Sequence, residues 1–159
     1  MLVYRILCAL LMAWAVNWAL SRPESEAMLS VLPEMHTLGP ISGAIVGYFN
    51  LSVRQGWGFI VAFANGIWAG VLSVILTGVL YVFVQLIQAA REKLLRDFDT
   101  FMVQFSEIVG PLLDEVVNVP LLIVSLGATA IVGVVTEVIH WLLVRFRAKR
   151  AARSGSGST

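Results

Sequence analysis

The sequence predicts an all-α, polytopic integral membrane protein, with about four transmembrane helices and one amphipathic interfacial helix. Three observations carry this reading. Hydrophobic residues make up 58% of the 159-residue chain and charged residues only 13%, against about 25% charged in soluble domains, so a water-exposed surface could not be covered. Long uncharged runs recur at lengths suited to a hydrocarbon core of about 30 Å. The few charges are segregated: Arg145, Arg147, Lys149, Arg150 and Arg153 follow the last apolar run with no acid among them, although the net charge is only +1.

The first helix is expected over 2–20. Ile6–Ser21 is uncharged, and the 19 residues of 2–20, at ~1.5 Å each in a helix, span ~28 Å. The rival reading is a cleaved signal peptide, with a basic start at Arg5 and a small-residue Ala19-x-Ser21 pattern. The Trp14 and Trp18 pair is foreign to such a leader and favours a retained helix. Residues 22–37 form a polar connector carrying Glu24, Glu26 and Glu34, punctuated by Pro23 and Pro33, which interrupt helices. The second helix, 38–53, is short for a span and ends at Arg54.

Gln55–Ala90 carries no charge over 36 residues. That is too long for one perpendicular span, so the third helix is placed at about 59–88 with its ends emerging. Trp57 suits an interfacial belt, whereas Trp68 lies too deep and is expected to pack against a neighbouring helix. Leu94, Phe98, Phe101, Phe105, Ile108 and Leu112 then recur at spacings of 4, 3, 4, 3 and 4. Asp97, Asp99, Thr100, Gln104 and Glu107 lie off that stripe, which defines an amphipathic helix over 91–109. Gly110-Pro111 is expected to break or kink it. The last span is 120–144. Residues 154–159 read as a flexible tail, and 1–153 as a single domain.

Orientation follows the Lys and Arg distribution. With the N-terminus inside, the inner segments hold seven basic residues (Arg5, Arg54 and the five of the tail). The outer segments hold four: Arg22, Arg91, Lys93 and Arg96. Both termini are therefore expected in the cytoplasm of a bacterial inner-membrane protein.

Gly39, Gly43 and Gly47 place a small residue at every fourth position of the second helix, and Gly66 and Gly70 continue the pattern in the third. Such stripes let helix backbones approach in lipid. They mark either a dimer seam or pore lining, or packing of helices two and three against each other. Gly133 belongs to a further i+4 row, Ser125, Thr129, Gly133 and Glu137. A carboxylate in hydrocarbon must be neutral, paired or watered. Glu137, with His140 three residues on, is thus either a proton or anion relay, half of a Glu-x-x-His metal pair, or a structural carboxylate bonded to Asn17, Asn50, Asn65 or His140. Cys8 reads as an inert core thiol and His36 as a solvated loop residue. Arg145, Arg147, Lys149 and Arg150 suit anionic lipid headgroups.

GxSxG, Walker, HExxH and CxxC motifs are absent. No catalytic residue, cofactor or metal is therefore expected, and no nucleic-acid partner. The partners expected are lipids and either another membrane protein or a second copy of the chain.

From residue 41 onward the chain resembles the TrgA family of small membrane proteins linked to tellurite resistance. The matching pieces are Ile45, Gly47, the Gly56-Trp57-Gly58 turn after Arg54, Ala64-Asn65-Gly66, the Arg-rich exit with Phe98-Asp99, and Gly133 with Thr136-Glu137. Thr100 departs from the pattern where the family has Gly, and the 22–37 connector is poorly matched. The resemblance implies a four-helix inner-membrane protein that supports oxyanion tolerance, and no defined mechanism. The other reading is an accessory or assembly subunit of a larger membrane complex, whose glycine stripes and apolar surface are docking faces.

Overall fold

The computed structural model describes residues 2–53, 56–91, 97–116 and 119–155; of residues 24, 27, 28, 31, 115, 116, 119, 120 and 149–155 it describes the backbone alone. The described elements are helical throughout. Helix α1 is Leu2–Leu20, and a 3₁₀ turn at Pro23–Ser25 leads into the short α2, Glu26–Val31. Helix α3, Met35–Val46, continues as a π-helical turn over Gly47–Leu51. Helices α4 (Phe59–Arg91), α5 (Phe98–Val116) and α6 (Val119–Gly155) complete the chain.

Four of these close into a ring in which every neighbour is antiparallel. Along α1 and α3, Gly39 faces Leu20, Gly43 faces Val16 and Met12, and Gly47 faces Cys8 and Ala9. Between α3 and α4, Met35 clusters with Tyr81, and Leu51 with Ala69. Between α4 and α6, Gly70 meets Leu126 and Thr129, and Gly66 meets Ala130 and Gly133. Helix α6 returns to α1, where the Tyr4 hydroxyl donates to the Thr136 carbonyl at 3.1 Å and Leu20 clusters with Leu121. The first turns of α1 and the last third of α6 therefore lie at the same end of the bundle.

Packing is inverted relative to a water-soluble bundle. Ala15, Ala62, Ala69 and Ala130 are buried, whereas Trp14, Ile60, Ile123 and Ile131 point outward. Lipid removes the penalty for outward apolar groups, and small inward residues let backbones close on one another. Three helices are long and apolar enough to cross a membrane: Leu2–Leu20, Phe59–Arg91 and Leu121–Ala148. The expected count of four is thus reduced. The 12 residues of α3 and the 5 of its π turn, at ~1.5 Å each, reach only ~25 Å, although they run beside α1 from the level of Leu20 to that of Cys8.

Other boundaries differ from expectation for identifiable reasons. Helix α6 runs on to Gly155 rather than stopping at 144, because the Ala, Arg and Lys residues after Val144 favour helix outside an apolar phase as well as in one. Ser154 and Gly155 are thus helical, and the rest of the expected tail lies outside the described residues. The amphipathic helix begins at Phe98 instead of 91, with residues 92–96 outside the described residues, and passes through Pro111 to Val116. Pro111 leaves the Glu107 carbonyl without its helical donor, but Glu107, Gly110 and Pro111 are all exposed, so water can serve that carbonyl. Trp68 is 51% exposed on the outer face of α4, and not packed against a neighbour as expected.

Helix α5 doubles back along the second half of α4. Leu112 packs by Gly78 and joins Tyr81 and Leu121 in a buried cluster, whereas Phe105 and Leu86 line an open groove between the two helices. Phe98, Phe101 and Phe105 stack along one face, with ring centroids 6.4 and 6.1 Å apart.

Candidate functional site

The bundle's most distinctive polar arrangement lies where the loop after α3 enters α4. Gly56 and Gly58 have φ of +93° and +97°, a left-handed backbone that side chains with a Cβ adopt only at a cost. Those dihedrals turn two N–H groups towards α6. The Gly56 N–H donates to Glu137 Oε2 at 2.9 Å, and the Gly58 N–H to Glu137 Oε1 at 3.3 Å. Glu137 is 7% exposed. Its charge is met by two backbone dipoles, a small anion-binding concavity built within the chain. The Gly58 carbonyl then accepts from the Ala62 N–H at 2.9 Å, which starts the ladder of α4. Glu137 thus fastens α6 to the start of α4.

Glu137 and His140 converge on the same loop from different directions. The His140 ring lies beside Gly56 and meets the Tyr4 ring edge-on at 5.8 Å. Among the described residues, the partners of Glu137 are backbone N–H groups and not the side-chain amides that the sequence pointed to. Among those residues there is also no group of three or more His, Cys, Asp or Glu placed to hold a metal.

The glycine stripes close the bundle, but along other seams than expected. Gly39, Gly43 and Gly47 face α1, and Gly66 and Gly70 face α6, so helices two and three do not meet through them. At Gly47, Gly66 and Gly133 the close approach is backbone to backbone. A Cβ on Gly47 would lie 2.6 Å from the Cys8 carbonyl oxygen, and one on Gly66 2.5 Å from that of Thr129. A Cβ on Gly133 would overlap the Ala62 carbonyl. Cys8 itself is buried, and His36 is exposed at the start of α3.

A second polar group escaped the sequence reading. The Ser42 hydroxyl meets Ser73 Oγ at 3.2 Å and the Thr77 hydroxyl, joining α3 to α4. Ser73 and Thr77 line a central cavity of about 80 Å³, together with Ser125 and Thr129. The signal was Ser73 and Thr77 one turn apart in an apolar run; their partner on α3 could not be read from the sequence.

Of the basic residues assigned to headgroups, Arg145 stacks on Trp141 at 4.1 Å, and Arg147 lines a pocket with Arg5. The side chains of Lys149 and Arg150 lie outside the described residues. Comparison of the chain with protein-family models, with curated proteins and with solved structures finds no match in any of the three.

Proposed function

We propose that this chain is a multi-pass protein of a bacterial inner membrane that supports tellurium-oxyanion tolerance as a closed helical bundle, with no catalysis of its own. The observation that carries this reading is where the family resemblance falls. Gly47, Gly66, Gly133, Gly56-Trp57-Gly58 and Glu137 are the residues at which helices meet closely or a turn is fastened. Part of what the chain shares with TrgA proteins, the exposed Ile45, Ala64 and Phe98-Asp99 aside, is then the means of closing the bundle. A conduit through the bundle is disfavoured on electrostatic grounds. The central cavity is lined by hydroxyls and apolar groups, with no cation among its lining residues, and a dianion placed there would forfeit its hydration without compensation.

In this reading α3 with its π turn is the fourth crossing, and both termini face the cytoplasm, following the seven-to-four excess of Lys and Arg in the segments assigned inside. The test is tellurite tolerance in a deletion strain complemented with the chain, with membrane abundance measured in parallel. Tolerance should be lost on deletion and restored by the chain. A deletion strain of unchanged tolerance would remove the reading.

The accessory-subunit reading keeps one observation of its own. Phe98 is 72% exposed and Met102 48%, on the stripe of α5 that is left open beside α4. Recovery of a stoichiometric large partner in mild detergent, lost on Met102→Asp, would favour that reading over the first.

A further inference from the structure

At the end of the bundle where the termini emerge, Arg5 and Arg147 share a pocket of about 290 Å³ with His140, Tyr4 and Ser52. None of its lining residues is acidic. The two hydroxyls are already engaged: Tyr4 donates to the Thr136 carbonyl and Ser52 to that of Tyr48. The neighbouring acid, Glu137, is held by the Gly56 and Gly58 N–H groups. Arg5, His140 and Arg147 therefore line one pocket with no carboxylate in its lining, and both oxygens of the nearby Glu137 are taken up by backbone N–H groups. Arg5 is further placed by the Tyr48 ring, with its guanidinium carbon 5.8 Å from the ring centroid.

Among the described residues, the opposite end has no such arrangement. There Arg22 stacks on Trp18 at 3.9 Å, in a connector that carries three glutamates. Among the described residues, the end that holds the pocket carries Arg5, Arg145 and Arg147 and, beyond Glu137, no acid.

We infer that the Arg5–His140–Arg147 pocket binds an oxyanion of the phosphate class. Guanidinium groups suit such oxygens geometrically, through paired N–H donors. A lipid headgroup and a free phosphate ion offer the same chemistry. The apolar part of the lining, with Leu143 exposed beside it, gives the acyl chains of a lipid a path along the outside of the bundle. The inference stands apart from the tolerance reading, since neither needs the other.

The test uses the full chain in dodecyl maltoside, with dioctanoyl phosphatidylglycerol, dioctanoyl phosphatidylcholine and inorganic phosphate as probes, followed by titration calorimetry. Saturable binding of phosphatidylglycerol or of phosphate is expected. Arg5→Gln with Arg147→Gln should weaken it about tenfold or more, the scale of one lost charge-assisted hydrogen bond. Arg22→Gln with Arg91→Gln removes the same charge at the opposite end and should change it less than about twofold. Binding of phosphatidylglycerol alone makes the site a headgroup site, and binding of phosphate makes it a site for the free ion. Should the double variant not fold, Arg147→Gln at its exposed position carries the comparison. Equal weakening by both pairs, equal binding of phosphatidylcholine, or no saturable binding of either anion overturns the assignment.

Discussion

At the residue scale, Glu137 shows how a charge is accommodated inside an apolar helix. Both of its oxygens accept from backbone N–H groups, so Glu137→Gln is not a silent change. Glutamine has one acceptor oxygen and would turn its amide nitrogen towards the second N–H, a donor facing a donor. We expect a loss of about 1–3 kcal/mol in unfolding from mixed micelles, and a larger loss for Glu137→Leu, which leaves both N–H groups unsatisfied. Equal stability of wild type and Glu137→Gln would show that the bonds contribute nothing. An ionisable residue in an uncharged span was plain in the sequence; its partners, some 80 residues earlier, were not, because any residue can present a backbone N–H. Asp97 offers a second residue-scale test. Its carboxylate accepts from the Thr100 N–H at 2.8 Å and caps α5. The Thr100 hydroxyl and N–H hold its carboxyl below the ordinary carboxylate range. A depressed folded value means that the cap is complete above the ordinary carboxylate pKa and is lost as pH falls through the folded one. Amide protection over 98–101, corrected for intrinsic exchange, should therefore fall at acid pH. Asp97→Asn should flatten that dependence.

At the element scale, helix stripes were legible and their partners were not. Four-residue spacing identified Gly39, Gly43, Gly47, Gly66, Gly70 and Gly133 as packing positions, yet α3 turns its stripe to α1 and α4 turns its own to α6. Spacing defines a face and says nothing of which helix covers it. The same limit explains α6, whose end was placed where apolarity stops although helix propensity continues. The seams predict a sharp contrast between two glycines of α6, Gly133 and Gly127. Gly133→Ala would press a methyl group onto the Ala62 carbonyl and the Gly66 backbone, and overpacking against backbone costs about 1–3 kcal/mol. Gly127 is exposed, with nothing near its missing Cβ, so Gly127→Ala should be neutral or stabilising by up to about 1 kcal/mol through helix propensity. Unfolding midpoints in mixed micelles check both; similar midpoints would mean that α6 turns another face to α4.

At the scale of the whole molecule, composition alone was enough for the class, since no soluble arrangement covers this chain with so few charges. The closure of the ring was not legible, because it depends on α6 returning to α1 across more than 130 residues. That closure is the central claim, and it separates a self-contained bundle from helices that pair through their glycines with a second copy. Cross-linking of paired cysteines in native membranes tests it most directly. In a Cys8→Ser background, Tyr4→Cys with His140→Cys joins α1 to α6 at the position where their rings now meet. A short-reach thiol reagent should convert that pair to an internally linked monomer, and leave each single-cysteine variant unlinked. Dimers in place of the linked monomer, or no α1–α6 product at all, would contradict the closed bundle.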